Sequence, residues 1–134
     1  MSVREEVIDW IEEAKVDLKR AERSLSEGDY SLSCYMSQQA TEKSFKALLI
    51  FKKRVRPPHV HDLTTLYSEI SDVFQLPREL EERLPEISQY YVTSRYPNAG
   101  ITRPSKSFNI RQAERALEVA KFVVEKATEL IYSR

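Results

Sequence analysis

The chain has 134 residues, 41% apolar and 31% charged, with 21 bases against 21 acids, two glycines and one cysteine. That size suits a single domain over residues 1–134 with an ordinary apolar core, and the composition excludes disordered and collagen-like chains. Gly28 and Gly100 stand alone, so no glycine-rich loop exists to cradle a phosphate, which excludes Rossmann and P-loop enzymes.

The opening residues, MSVREEVIDWIEE, carry acids where a secretory signal needs an apolar core, and no apolar run reaches the roughly 20 residues of a membrane span. The single Cys34 permits no intramolecular disulfide and no cysteine-based zinc site. A cytoplasmic protein without membrane contact is the expectation.

Helical periodicity dominates the pattern. Val7, Ile11, Ala14, Leu18, Ala21 and Leu25 form one stripe at spacings of four and three, predicting a first helix over residues 3–26. Ser2 and Glu5 have the capping-box spacing at its start, and Gly28-Asp29 supplies the stop. Residues 30–53 carry apolar groups on several faces, predicting a central helix with neighbours on more than one side, ended by Pro57 and Pro58. Asp62 is the predicted N-cap of a third helix reaching about Val73. Pro77 opens a fourth, and Pro85 predicts a kink or break near residues 84–85.

The last helix begins at Asn109, whose spacing from Gln112 suits a capping box, and runs through Ile110, Ala113, Leu117, Ala120, Val124, Ala127 and Ile131. Three helices of similar length, about 36 Å each at 1.5 Å per residue, point to an all-α, antiparallel up-down bundle of four to five helices. Residues 95–108, with Pro97, Gly100 and Pro104, are the one long irregular stretch.

Zero net charge hides a segregation. Residues 43–61 hold six bases and no acid (Lys43, Lys46, Lys52, Lys53, Arg54, Arg56) together with His59 and His61. Residues 87–113 hold Arg95, Arg103, Lys106 and Arg111, again with no acid. In an up-down bundle the second and fourth connections lie at one end, so both basic stretches are expected to meet there as a single anion-binding surface. Tyr90, Tyr91 and Tyr96 flank Arg95, adding aromatic planes on which bases could stack.

The segment QQATEKSFKALL (Gln38–Leu49), the following His61-Asp62-Leu63, and Arg95-Tyr96-Pro97 before the final helix together resemble the HEPN family. Trp10, Ala14, Asp17, Leu18, Ala21, Leu25 and Gly28-Asp29-Tyr30 extend the resemblance over nearly the whole chain. The resemblance implies a homodimeric helical bundle, often partnered by a separate minimal nucleotidyltransferase in a toxin–antitoxin or substrate-binding role. Many members are metal-independent ribonucleases carrying Arg-x4-6-His at the dimer interface. Here Gly100, Ile101 and Thr102 stand where that histidine belongs after Arg95. Arg54 to His59 and Arg56 to His61 have a matching spacing, but in the wrong connection.

The expectation is therefore a module that binds nucleotide or RNA phosphate rather than an enzyme. Arg95, Lys52, Arg54, Arg56 and Arg103 would hold phosphates while Tyr91 or Tyr96 stacks on a base. The alternatives are a ribonuclease toxin using His61 as acid or base, and a non-catalytic interaction protein. The ordinary explanation of His61-Asp62 is a local hydrogen bond at a helix start. That of Arg95 is a bond to carbonyls at a helix C-terminus. That of Glu42 and Lys46 is a pair on a solvated face. His59 and His61 lack a third ligand for zinc, so no metal or cofactor is expected.

Overall fold

A computed structural model describes residues 2–97 and 103–133; the expectations attached to Gly100, Ile101 and Thr102 lie outside them. Among the described residues seven α-helices follow in chain order: α1 (Val3–Ser26), α2 (Tyr30–Leu48), α3 (Leu63–Ile70), α4 (Arg78–Glu81), α5 (Leu84–Thr93), α6 (Pro104–Ser107) and α7 (Ile110–Tyr132). A π-helical turn, Leu49–Lys53, prolongs α2. None of these helices is long and apolar enough to cross a membrane.

The ends form where side chains satisfy the free amides. Ser2 Oγ accepts from Glu5 N, Asp29 from Leu32 N and Asp62 from Thr64 N, and Asn109 with Gln112 completes a reciprocal capping box. Gly28 takes the left-handed conformation, φ +77°, that closes α1. The break expected at Pro85 falls at Glu82–Arg83, and Pro85 occupies the first turn of α5, where its missing N–H leaves no bond unmade. Within the irregular stretch the chain forms α6, and Phe108 after it sets its ring edge-on to Tyr90 at 5.1 Å.

Helix α2 is the axis of the bundle, packed between α1 and α7 on one side and α3 and α5 on the other. Ala113, Ala116, Ala120 and Ala127 are fully buried on α7, and such small side chains let helices approach closely. Direction is set by the clasp of the termini: Arg4 Nη1 donates to the Ile131 carbonyl at 2.9 Å, and the Tyr132 hydroxyl donates to Glu12 at 2.6 Å. The end of α7 therefore meets the start of α1, antiparallel to it and parallel to α2.

The connection after α2 departs from the expected turn. Arg54, in the left-handed conformation with φ 57°, ends the π-helical turn. The chain then returns alongside α2 until the His61 carbonyl accepts from Gln38 Nε2 at 3.1 Å. The prolines explain the path, because Pro57 and Pro58 fix φ and push preceding residues into extended backbone. At about 3.1 Å per residue, such a strap covers about 20 Å between Arg54 and His61. That matches the length of α2 it retraces at about 1.5 Å per residue.

Among the described residues four charged side chains, Asp17, Glu42, Lys46 and Arg83, are buried. Asp17 accepts from Lys43 at 2.6 Å and Arg20 at 2.8 Å, linking α2 to α1, while Arg83 reaches Glu79, Glu118 and the Arg115 carbonyl. Glu42 and Lys46 are paired at 3.0 Å, but their side chains are only 6% and 7% exposed, so this is a buried ion pair and not the solvated one expected.

Cys34 is fully buried, and burial, aided by the Glu86 carboxylate, pushes its thiol up to about 12. The thiolate is the reactive form, so the native protein should resist a thiol reagent at pH 8 and react fully once denatured. Rapid labelling of the folded protein would show that the thiol reaches water.

Candidate functional site

Two elements, the strap and the end of α5, meet on one side of α2. Tyr35, Gln38 and Glu42 project from successive turns of that helix, His61 arrives on the strap, and Tyr91 and Arg95 come from the end of α5. The His61 ring stacks on Tyr91 with centroids 3.7 Å apart and planes 13° from parallel. Arg95 Cζ lies 4.5 Å from the Tyr91 ring centre, 4.7 Å from Tyr35 and 5.0 Å from Tyr96, a guanidinium within three aromatic rings. Through Tyr91, these distances bound the guanidinium to within about 8 Å of the imidazole centre.

Arg95 Nε donates to the Tyr91 carbonyl at 2.8 Å, so the helix-terminus role is present. That bond uses one of five donors. Arg95 is exposed, and among the described residues no carboxylate pairs with it. Its free donors sit beside aromatic surface, the arrangement that holds a phosphate and a base together.

His61 Nδ1 lies 3.0 and 3.1 Å from the two Glu42 carboxylate oxygens. Its partner is thus 19 residues upstream and not the adjacent Asp62. A carboxylate on Nδ1 holds a proton there and turns Nε2 away from the pair. Gln38 Nε2 also donates to Glu42, at 3.0 Å, Gln39 donates to Gln38 Oε1 at 2.7 Å and Thr41 Oγ1 donates to the Ser37 carbonyl at 2.8 Å, so the buried side chains Gln38, Thr41 and Glu42 all have hydrogen-bond partners. The His61 side chain remains 43% exposed.

Asp62 caps α3 and ties it to α5: it accepts from Thr65 Oγ1 at 2.6 Å and Ser88 Oγ at 3.1 Å, while Ser88 Oγ accepts from Leu63 N at 2.7 Å. The Thr65 hydroxyl, then the Ser88 hydroxyl and the Thr64 and Thr65 amides, hold its carboxyl below the usual carboxylate range. A lowered value in the folded state means stabilisation above the ordinary carboxylate pKa, lost as pH falls through the folded one. Asp62→Ala should therefore cost about 1–2 kcal/mol in urea unfolding at pH 7. The gap should narrow in acid, and a gap independent of pH would contradict this.

The expected single basic surface does not form within one chain. Arg95 sits beside Tyr35 near the start of α2, whereas Lys52 lies in the π-helical turn at its end, about 20–25 Å along the axis at about 1.5 Å per residue. Arg54 and Arg56 line a separate groove with Trp10, Lys46 and His59. His59 and His61 thus serve different places. Arg103 precedes α6 and is exposed, apart from the Arg95 contacts described. The reason is the strap: the second connection is an extended return, so only its far end, His61, reaches Arg95. Tyr91 is also not a free stacking surface, because His61 is stacked on it and Arg95 lies against it; Tyr96, 48% exposed, has the Arg95 guanidinium against its ring but no stacked ring among the described residues. Sequence reasoning missed Tyr35, Gln38 and Glu42 as site residues. Their signal was the density of polar groups on a helix with apolar residues on several faces.

Among the described residues the regular structure is entirely helical, a bundle built around α2. The chain belongs to the HEPN domain family, which it matches over residues 7–130. Among solved structures it is similar to TT1696 from Thermus thermophilus, with 30% identity, a TM-score of 0.80 and coverage of 92% of this chain and 96% of that one. It is also similar to ST0689, an archaeal HEPN homologue (28% identity, TM-score 0.73, coverage 93% and 97%). An HEPN domain protein, TM0613 of Thermotoga maritima, follows (25% identity, TM-score 0.65, coverage 94% and 99%). No significant match is found among curated proteins.

Proposed function

We propose that the chain binds nucleotide or single-stranded RNA on the cluster of Arg95, Tyr35, Tyr96 and His61, acting as a binding module. The observation that carries this is the Arg95 guanidinium, exposed, unpaired by any carboxylate among the described residues and within 5.0 Å of three tyrosine ring centres. A phosphate takes the free donors of Arg95. A base continues the stack on the exposed His61 ring or lies on Tyr96, each such stack contributing about 1–3 kcal/mol. Homodimerisation, a cytoplasmic setting and service to a separate nucleotidyltransferase belong to the same reading, supported by membership of the family. The test is titration with ATP and with a short RNA at two salt concentrations. Affinity should fall as salt rises, with a slope of about 0.7 for each phosphate held. Absence of binding to both overturns the reading.

A second reading, a metal-independent ribonuclease, is favoured by the Glu42–His61 pair, in which a buried carboxylate orients an exposed imidazole within about 8 Å of a guanidinium. It requires RNA cleavage in the presence of a chelator that His61→Ala abolishes.

A further inference from the structure

The groove that draws Arg54 and Arg56 away from Arg95 has no part in the reading above. It encloses about 380 Å³ between the start of α1 and the end of α2. Val3 and Trp10 of α1, Ile50 of the π-helical turn, and Val55, Pro57 and Pro58 of the strap form its apolar lining. The cations are Lys46, Arg54 and Arg56, and Glu6 is the one carboxylate in the lining. Lys46 is committed to Glu42 and leans on Trp10, its Nζ 5.7 Å from the ring centre. Arg54 and Arg56 are exposed, and neither pairs with a carboxylate among the described residues. Two backbone irregularities shape the same groove: a π-helical turn, and Arg54 as the only non-glycine residue with positive φ among the described ones. Both features recur at functional sites, because each has an energetic cost that ordinary packing would remove.

We propose that this groove binds a small organic acid with an apolar body. The guanidinium fork of arginine suits a planar carboxylate, and a hydrocarbon body releases water from the Trp10, Ile50 and proline surfaces. A sugar fits poorly, since Val3, Trp10, Ile50, Val55, Pro57 and Pro58 would face its hydroxyls with side chains that cannot replace the water those hydroxyls lose. The site is therefore distinct from the nucleotide cluster in both place and chemistry.

Trp10 is the only tryptophan, so its fluorescence reports on the groove. Octanoate at millimolar concentration should shift Trp10 emission saturably to the blue. Octanol, without the charge, and acetate, without the body, should bind at least about tenfold more weakly. The variant carrying Arg54→Gly and Arg56→Gln removes both guanidinium groups while glycine tolerates the left-handed backbone. It should unfold at no lower temperature than the parent, lose octanoate affinity at least about tenfold and keep RNA binding. Absence of saturation with octanoate, an equal response to octanol, or unchanged octanoate affinity in the double variant would each overturn the proposal. None of these outcomes bears on Arg95.

Discussion

Glu42→Ala should lower stability by about 3–5 kcal/mol, the range for breaking a buried ion pair from one side. The substitution leaves the Lys46 ammonium, 7% exposed, without its carboxylate, deprives Gln38 Nε2 of an acceptor and frees His61 Nδ1. The strap is held to α2 through those same bonds and the His61 carbonyl, so protection of its neighbours from hydrogen exchange should fall with global stability. Replacing both partners, Glu42→Gln with Lys46→Met, should recover part of the loss, because no buried charge is then stranded. Urea unfolding of the three proteins decides the matter. A loss below about 1 kcal/mol for Glu42→Ala would mean that Lys46 finds water, as an exposed pair does.

Arg95→Ala should weaken binding of a short single-stranded RNA by about 10- to 100-fold, the equivalent of one charged hydrogen-bonding group together with its stacking surface. The salt slope should fall by about 0.7, the share of one phosphate contact on a single strand. Arg95→Lys should restore the slope but little of the affinity, since an ammonium keeps the charge without the planar fork that lies among Tyr35, Tyr91 and Tyr96. Full recovery by lysine would show that charge alone matters and that the aromatic rings play no part. Both variants should still fold, because Arg95 is exposed and its one side-chain hydrogen bond and its ring contacts lie at the end of α5, outside the buried core.

Much of the fold is legible in the residues because helices announce themselves locally. The stripe from Val7 to Leu25, the caps at Ser2, Asp62 and Asn109, and the punctuation by Gly28 and Pro77 all act within a turn or two of where they stand. The path between helices is a different matter. Pro57 and Pro58 declare that a helix cannot continue, but the direction taken by an extended segment depends on what it finds to bind, here Gln38 and Glu42 on α2. An assumed turn at one end of the bundle placed Lys52, Arg54 and Arg56 beside Arg95, and the strap separates them.

The candidate site divides along the same line. Arg95 and Tyr96 stand out by composition, an arginine among tyrosines in an acid-free stretch. The role of Glu42 was hidden, because Glu and Lys four residues apart on a helix ordinarily mark a solvated face. Burial came from elements distant in sequence, which left the pair 6% and 7% exposed. Likewise, His61 beside Asp62 reads as a local helix-start pair. Only tertiary structure gives the imidazole to Glu42 and Tyr91 and leaves Asp62 to cap α3.

Photocrosslinking a uridine-rich single strand to the protein, followed by mapping of the modified peptides, shows whether nucleic acid lies on the Arg95 cluster at the side of α2. Adducts are predicted on Tyr35, His61 or Tyr96. Adducts confined to Trp10 or the 54–59 strap would place the strand in the other groove and rule out binding at Arg95.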